Sequence, residues 1–141
     1  MKKVLVAIDI ARSSGNDTCI KTAQDIAGTM DATLVLLHVI QPMPGYIAFE
    51  IPGGILGKRK SKAEEELHKL AVQFGCSDVV VREGGVATEI LEHASEIGAD
   101  LIVLNSHDPG VADYFLGSVA SRVVRHAHCS VHVVRHPDVG I

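Results

Sequence analysis

Five short apolar runs punctuate the chain, and a helical pattern follows each of the first four. The first run covers 4–8. Residues 12–29 then place Ile20, Ala23, Ile26 and Ala27 at helical spacing. The second run, 33–40, is nearly all apolar and rich in Leu and β-branched residues, as a strand covered on both faces should be. Residues 60–74 carry Ala63, Leu67, Leu70, Ala71 and Phe74 on one helical face, and Gly75 supplies the stop. A third strand is predicted over 78–82. Residues 86–97 align Val86, Ile90, Leu91, Ala94 and Ile97 in one stripe before Gly98. A fourth strand over 101–104, a last helix over 114–127 and a last strand over 131–135 complete the series.

Strict alternation of strand and helix implies a parallel sheet with right-handed crossovers. The expected fold is α/β: an open, doubly wound, five-stranded parallel sheet of order 3-2-1-4-5 with helices on both faces. In such a sheet the ligand crevice lies beyond the carboxyl ends of the strands, where the winding reverses. Here that point falls between the first and fourth strands. Asp9 ends one and the segment from Asn105 to Asp108 ends the other, so topology alone brings them together. The last strand, 130–135, is expected at a sheet edge. Its valines would be an association hazard unless paired, and pairing with the same strand of a second copy under two-fold symmetry predicts a homodimer. A higher oligomer is left open.

Residues 41–57 interrupt the alternation. They hold too many Pro and Gly for a regular element, yet Met43, Tyr46, Ile47, Phe49 and Ile51 are apolar. A loop this long leaving the crevice side of the sheet is expected to cover the crevice mouth or enter a subunit contact.

Composition narrows the class. The 141 residues suit one domain, 1–141, and 47% hydrophobic with 21% charged residues is enough to bury a core. No apolar run approaches the ~18 residues of a membrane span. Lys2-Lys3 followed by an apolar run resembles a leader, but Asp9 ends the run too early, so a first strand of a cytoplasmic protein is expected. The net charge is −4 and only Lys58, Arg59, Lys60 and Lys62 cluster, which argues against nucleic acid as a partner. Cys19, Cys76 and Cys129 are odd in number, widely spaced and without a C-x-x-C, so they read as reduced packing residues. Eight histidines include no H-E-x-x-H, and His126 and His128 cannot share a helical face, so no metal site is expected.

Three places could carry chemistry. Asp9, at a strand end, can accept hydrogen bonds from a ribose hydroxyl pair, or instead form an N-cap or Asx-turn. Gly117-Ser118 opens the last helix. Gly allows close approach of a phosphate, and Ser can cap the helix or bond a phosphate oxygen. Ser106-His107-Asp108 has the residue types of a hydrolase triad, but the three are consecutive, whereas triad members converge from separate elements. There is no G-x-S-x-G elbow and no G-x-x-x-x-G-K-[ST] loop. Glu89, in the first turn after Gly84-Gly85, reads as a structural acid at a helix N-terminus.

These residues resemble the universal stress protein family across nearly the whole chain. The opening Val-Leu-Val-Ala-Ile-Asp, the Leu-Leu-His-Val-Ile of the second strand, the Glu-Gly-Gly before the third helix and the ending Gly-Ser-Val-Ala-Ser-Arg-Val-Val-Arg-His-Ala-His-Cys-Ser-Val-His-Val-Val-Arg carry the likeness. The loop spacing is most similar to the small single-domain F and G subgroup of bacteria. The resemblance implies an ATP-binding stress-response or signalling protein, a dimeric switch without substantial catalysis. It implies that Ala7, Ile8 and Val39 line the adenine pocket and that Asp9 contacts the ribose. Leu104, Asn105, His107 and Asp108 would run beside ribose and phosphates, and Gly117, Ser118, Val119 and Ala120 would cradle the phosphates.

The chain departs from the family's G-x2-G-x9-G-[ST] pattern. Asn105 and Asp108 stand where glycines are usual, and the loop to Gly117 is one residue shorter. Asn tolerates positive φ better than most residues. Asp108 would repel phosphates unless a cation intervenes, which makes Mg²⁺ a reasonable co-requirement, or it points away and Gly110 takes the flexible role. The sequence shows no obvious general base for attack on a γ-phosphate, so at most slow ATP hydrolysis is expected. The competing reading is a nucleotide-free dimeric interaction module of the same fold.

Overall fold

The strands are parallel because every strand-to-strand connection carries a helix, and their side chains divide by alternation between two layers. The computed structural model describes residues 2–11, 15–42, 55–106 and 116–135. Among them are the strands β1 (Lys2–Ala7), β2 (Ala32–Ile40), β3 (Asp78–Glu83), β4 (Leu101–Asn105) and β5 (Ser130–Val134). The helices are α1 (Asn16–Met30), α2 (Ile55–Phe74), α3 (Val86–Ile97) and α4 (Ser118–His126). The sheet order is β3-β2-β1-β4-β5 and every neighbouring pair is parallel. This is the doubly wound α/β architecture that the alternation implied.

Period two along each strand sends alternate residues to opposite faces. Val4, Val6 and Ile8 of the first strand and its continuation pack with Leu36, Val103 and the α1 and α2 residues Ile20, Ala23, Leu67 and Ala71. Leu5 and Ala7 turn the other way, onto Leu37, Val39, Ile102, Leu104 and the α3 and α4 residues Ile90, Ala94, Ala120 and Val123. Both layers are apolar, so the central strands are buried on both faces. At the base of the sheet Lys3 and Asp100 hold each other reciprocally. The Lys3 N–H donates to Asp100 Oδ2 at 2.9 Å, and the Asp100 N–H donates to the Lys3 carbonyl at 2.8 Å.

Three helix boundaries differ from the sequence expectation. The first helix begins at Asn16 rather than 12, because Gly15 takes a left-handed φ of 93° just before it. The second begins at Ile55 rather than 60, directly after Pro52-Gly53-Gly54. It keeps Gly57 inside at a propensity cost of about 1 kcal/mol. The last begins at Ser118 rather than 114, with Gly117 extended as its N-cap, while Tyr114 and Phe115 lie outside the described residues. Met43, Tyr46, Ile47, Phe49 and Ile51, the expected lid, also lie outside them.

The cysteines behave as packing residues. All three are unbridged, and burial pushes the Cys19 thiol up to about 12, far from a reactive thiolate. Among the described residues no helix is long and apolar enough to cross a membrane.

Candidate nucleotide site at the switch point

The carboxyl ends of β1 and β4 part where the winding reverses, and a cavity of about 100 Å³ opens there. Ala7, Ile8 and Asp9 contribute from β1 and its exit. Leu37, His38 and Val39 come from β2, and Leu104 and Asn105 from β4. Val86 and Ile90 of α3 close one side, and Gly117, Val119 and Ala120 at the start of α4 close another. A wider groove of about 380 Å³ adjoins it through Asp9, His38, Val39 and Val86, and extends to Arg59, Lys62 and Glu66 of α2.

Asp9 forms the Asx-turn, one of the two readings open to it. Its Oδ1 accepts the Ala11 N–H at 3.0 Å, an Asx-turn, while Gly15 occupies the N-cap of α1. The side chain is exposed, and among the described residues no hydrogen bond to Oδ2 is found, so a second acceptor stays available at the cavity rim. The Asp9 carbonyl accepts from Asn16 Nδ2 at 2.7 Å, and the Ile8 N–H donates to the Leu37 carbonyl at 2.9 Å. The turn is therefore tied to both α1 and β2.

On the opposite rim, the Gly117 N–H donates to the Ser106 carbonyl at 2.7 Å and the Ser106 N–H to the Val134 carbonyl at 3.0 Å. These bonds bring the two ends of the intervening loop together beside β5. The α4 N-terminus carries no side-chain cap. Its first-turn N–H groups have no intrahelical acceptor, and the helix dipole adds positive potential there. Such a terminus binds anions.

Most of the site residues expected from the sequence converge on this cavity. Ala7, Ile8, Asp9, Val39, Leu104, Asn105, Gly117, Val119 and Ala120 all line it. Ser118 opens α4 but is exposed and not part of the lining. His107, Asp108 and Gly110 lie outside the described residues. Asn105 ends β4 without positive φ, since Asp31 is the one non-glycine residue with positive φ among the described residues. The replacement of a family glycine at Asn105 thus costs no backbone strain.

Sequence reasoning missed Leu37, His38, Val86 and Ile90 as walls of the site. Val86 and Ile90 sit one turn apart on the apolar stripe of α3, and a stripe looks the same whether it meets core or cavity. The helix is set by Arg82 of β3. Its Nε donates to Glu89 Oε1 at 2.8 Å, and its Nη1 to Glu96 Oε2 at 2.7 Å. The Arg82 Nη2 lies 3.4 Å from Glu92 Oε2. Its hydrogen bonds to Glu96 and then Glu89 raise the Arg82 guanidinium well above its ordinary value, and the bond from Arg82 holds the Glu96 carboxyl below its own. Glu89 also fills the space beside Gly84, where an added Cβ would come within 2.8 Å of Glu89 Oε2. Gly84 has φ 146°, so two constraints require glycine there.

His93 completes the cluster. Its Nδ1 lies 3.1 Å from Arg82 Nη1 and 3.7 Å from Glu96 Oε2. The first contact needs a lone pair on Nδ1 and the second a proton there. Burial, then the Arg82 charge, hold its pKa below the ordinary histidine value, and the shorter contact agrees with a neutral ring.

The profile of the universal stress protein family matches residues 1–135. The chain belongs to the universal stress protein family. Universal stress protein G of Shigella flexneri is 30% identical over 144 residues, covering 95% of this chain and 99% of that protein. Among solved structures, a universal stress protein from Lactobacillus plantarum superposes with a TM-score of 0.77 at 22% identity, covering 95% of this chain and 97% of its own. A universal stress protein in complex with cAMP superposes with a TM-score of 0.57 at 24% identity, covering 95% and 96%. The structural likenesses bear on the fold.

Proposed function

We propose that the switch-point cavity binds an adenine nucleotide, ATP above all, and that the protein is a dimeric stress-response switch whose nucleotide state is read by a partner. The observation that carries this reading is the convergence of Asp9 and the α4 N-terminus on one apolar cavity. The base packs among Ala7, Ile8, Val39 and Leu104. Asp9 uses its second oxygen for the ribose hydroxyls while the first keeps the turn. The phosphates run along Asn105 to Gly117, Ser118, Val119 and Ala120, with His107, Asp108 and Gly110 completing that wall. Mg²⁺ offsets the Asp108 charge beside them. The relative solved with cAMP supports an adenine ligand.

The protein works as a homodimer joined through strand residues 130–135, in the cytoplasm, where its three free cysteines stay reduced. Catalysis is not substantial in this reading.

Calorimetry with ATP, ADP and AMP, with and without Mg²⁺, on protein stripped of copurified nucleotide tests it. Micromolar ATP binding is expected. Asp9→Ala should weaken it by about 10- to 100-fold, the worth of charge-assisted hydrogen bonds. Gly117→Val should abolish it by filling the cavity wall. No binding of any adenine nucleotide would overturn the reading in favour of a nucleotide-free interaction module, which Asp108 in place of a family glycine favours.

A further inference from the structure

His38 is a polar residue in the middle of an apolar strand, 9% exposed, and alternation sends its side chain to the sheet face opposite that of Leu37 and Val39. Its ring lies under the turn that presents Asp9. Nδ1 is 3.4 Å from the Ile10 nitrogen and 3.2 Å from the Ile8 carbonyl oxygen, the two backbone groups that flank Asp9. One ring nitrogen cannot serve both. With a lone pair on Nδ1 and the proton on Nε2, the ring accepts the Ile10 N–H. With a proton on Nδ1 it donates to Ile8 O, and the Ile10 N–H loses its acceptor.

We propose that His38 is a positioning residue for the ligand carboxylate Asp9: its neutral ring fixes the Ile10 side of the Asp9 turn through Nδ1, and protonation of the ring moves that bond to the Ile8 carbonyl and frees the Ile10 N–H. The proposal rests on the nucleotide reading of the cavity. The charged groups facing the ring are Asp9 from the β1 exit and Arg59, Lys62 and Glu66 of α2, all along the groove that His38 lines. Val81, its register partner on β3, and the nearby Val86 of α3 are apolar, and Asn16 of α1 is neutral. The carboxylates and cations around the groove are equal in number, so protonation of the ring itself is the charge change at the site. On protonation the turn keeps its Ala11 and Asn16 bonds, and the His38 bond moves from the Ile10 N–H to the Ile8 carbonyl, so the Ile10 side loses its acceptor on β2.

The test has an arm without nucleotide and an arm with it. In the ligand-free, full-length protein, ¹⁵N spectra of the imidazole should show a neutral ring protonated on Nε2. The Ile10 amide should lose hydrogen-exchange protection as His38 gains its proton. In His38→Asn, whose Oδ1 replaces Nδ1 as a fixed acceptor, Ile10 protection should be flat with pH. A neutral ring protonated on Nδ1, or an Ile10 amide indifferent to His38 titration, overturns the proposal whether or not ATP binds.

With ATP titrated by calorimetry between pH 5 and 8, the wild type should weaken by about five- to tenfold on the acid side, the worth of one hydrogen bond. His38→Asn should hold the neutral-pH affinity throughout. His38→Phe, which keeps a ring and loses the acceptor, should be weak at every pH. An acid-side loss that persists unchanged in His38→Asn overturns the proposal. An Ile10 amide that tracks His38, in a protein that binds no ATP at any pH, refutes the ATP reading and upholds the hold of His38 on the turn.

Discussion

The two edges of the sheet are built in opposite ways. At one edge β3 carries Asp78, Arg82 and Glu83, and Arg82 is committed to carboxylates of its own covering helix. At the other edge β5 reads Ser-Val-His-Val-Val, with no carboxylate, lysine or arginine within the strand. Charges on an edge strand discourage pairing with another chain, while an uncharged edge with β-branched residues lacks that protection. The sheet therefore carries charge within its β3 edge and none within its β5 edge, which is the contrast that the proposed seam at β5 rests on. An edge is protected by what its side chains are bonded to, not by its length, since β3 and β5 differ by one residue.

The sharpest break of this contrast is a charge on the open edge. His132 is exposed on β5, so His132→Asp spares the core. Under two-fold pairing it sets like charges against each other, and the dimer dissociation constant should rise by about a hundredfold or more. Light scattering at micromolar concentration should then report a folded monomer. A dimer that persists would move the seam away from β5.

The next effect belongs to the closed edge. Arg82→Ala leaves Glu89, whose side chain is 16% exposed, without its cation, and frees α3 from the sheet. Partial exposure of the cluster holds the cost to about 1–2 kcal/mol, a drop of several degrees in melting temperature, with the dimer unchanged. Urea unfolding that shows no loss of stability would strip the cluster of its structural role.

The smallest effect is a pH profile. The pKa of His93 is lowered in the fold, so its neutral form contributes stability that is complete above the ordinary value of 6.5 and is lost as pH falls through the folded value. Glu96 is also lowered, from 4.5, so a second loss should appear in the acid range below that value. His93→Gln should erase the first step in denaturant midpoints measured from pH 7 to 2 and keep the second.

The layers and the winding were legible because period two and period 3.6 are written directly in Val4 to Ile8 and in the Val86–Ile90–Ala94 stripe. The switch point followed from the order of the elements, and that placed Asp9 opposite Gly117 without any motif. His38 was not legible. A lone histidine in an apolar run needs a partner, and its partners are the backbone of Ile8 and Ile10, which carry no sequence signature. The Arg82 cluster was half legible. Glu89 showed its place at a helix start, but its cation lies seven residues back on a strand, a distance that only the β3–α3 turn makes short.

The reciprocal clasp of Lys3 and Asp100 ties together residues 97 positions apart, and the β1–β4 pairing beside it spans the same separation. Local pairings such as β1 with β2 close short loops, while this one must gather most of the chain, and such closures come late in folding. The crevice lies on that same seam. A ligand that fits it recognises only chains whose two halves have already docked, and binding to the finished state alone raises its population. If the proposed nucleotide is that ligand, its supply would set how much of the protein survives heat or proteolysis, and the site would double as a checkpoint on assembly.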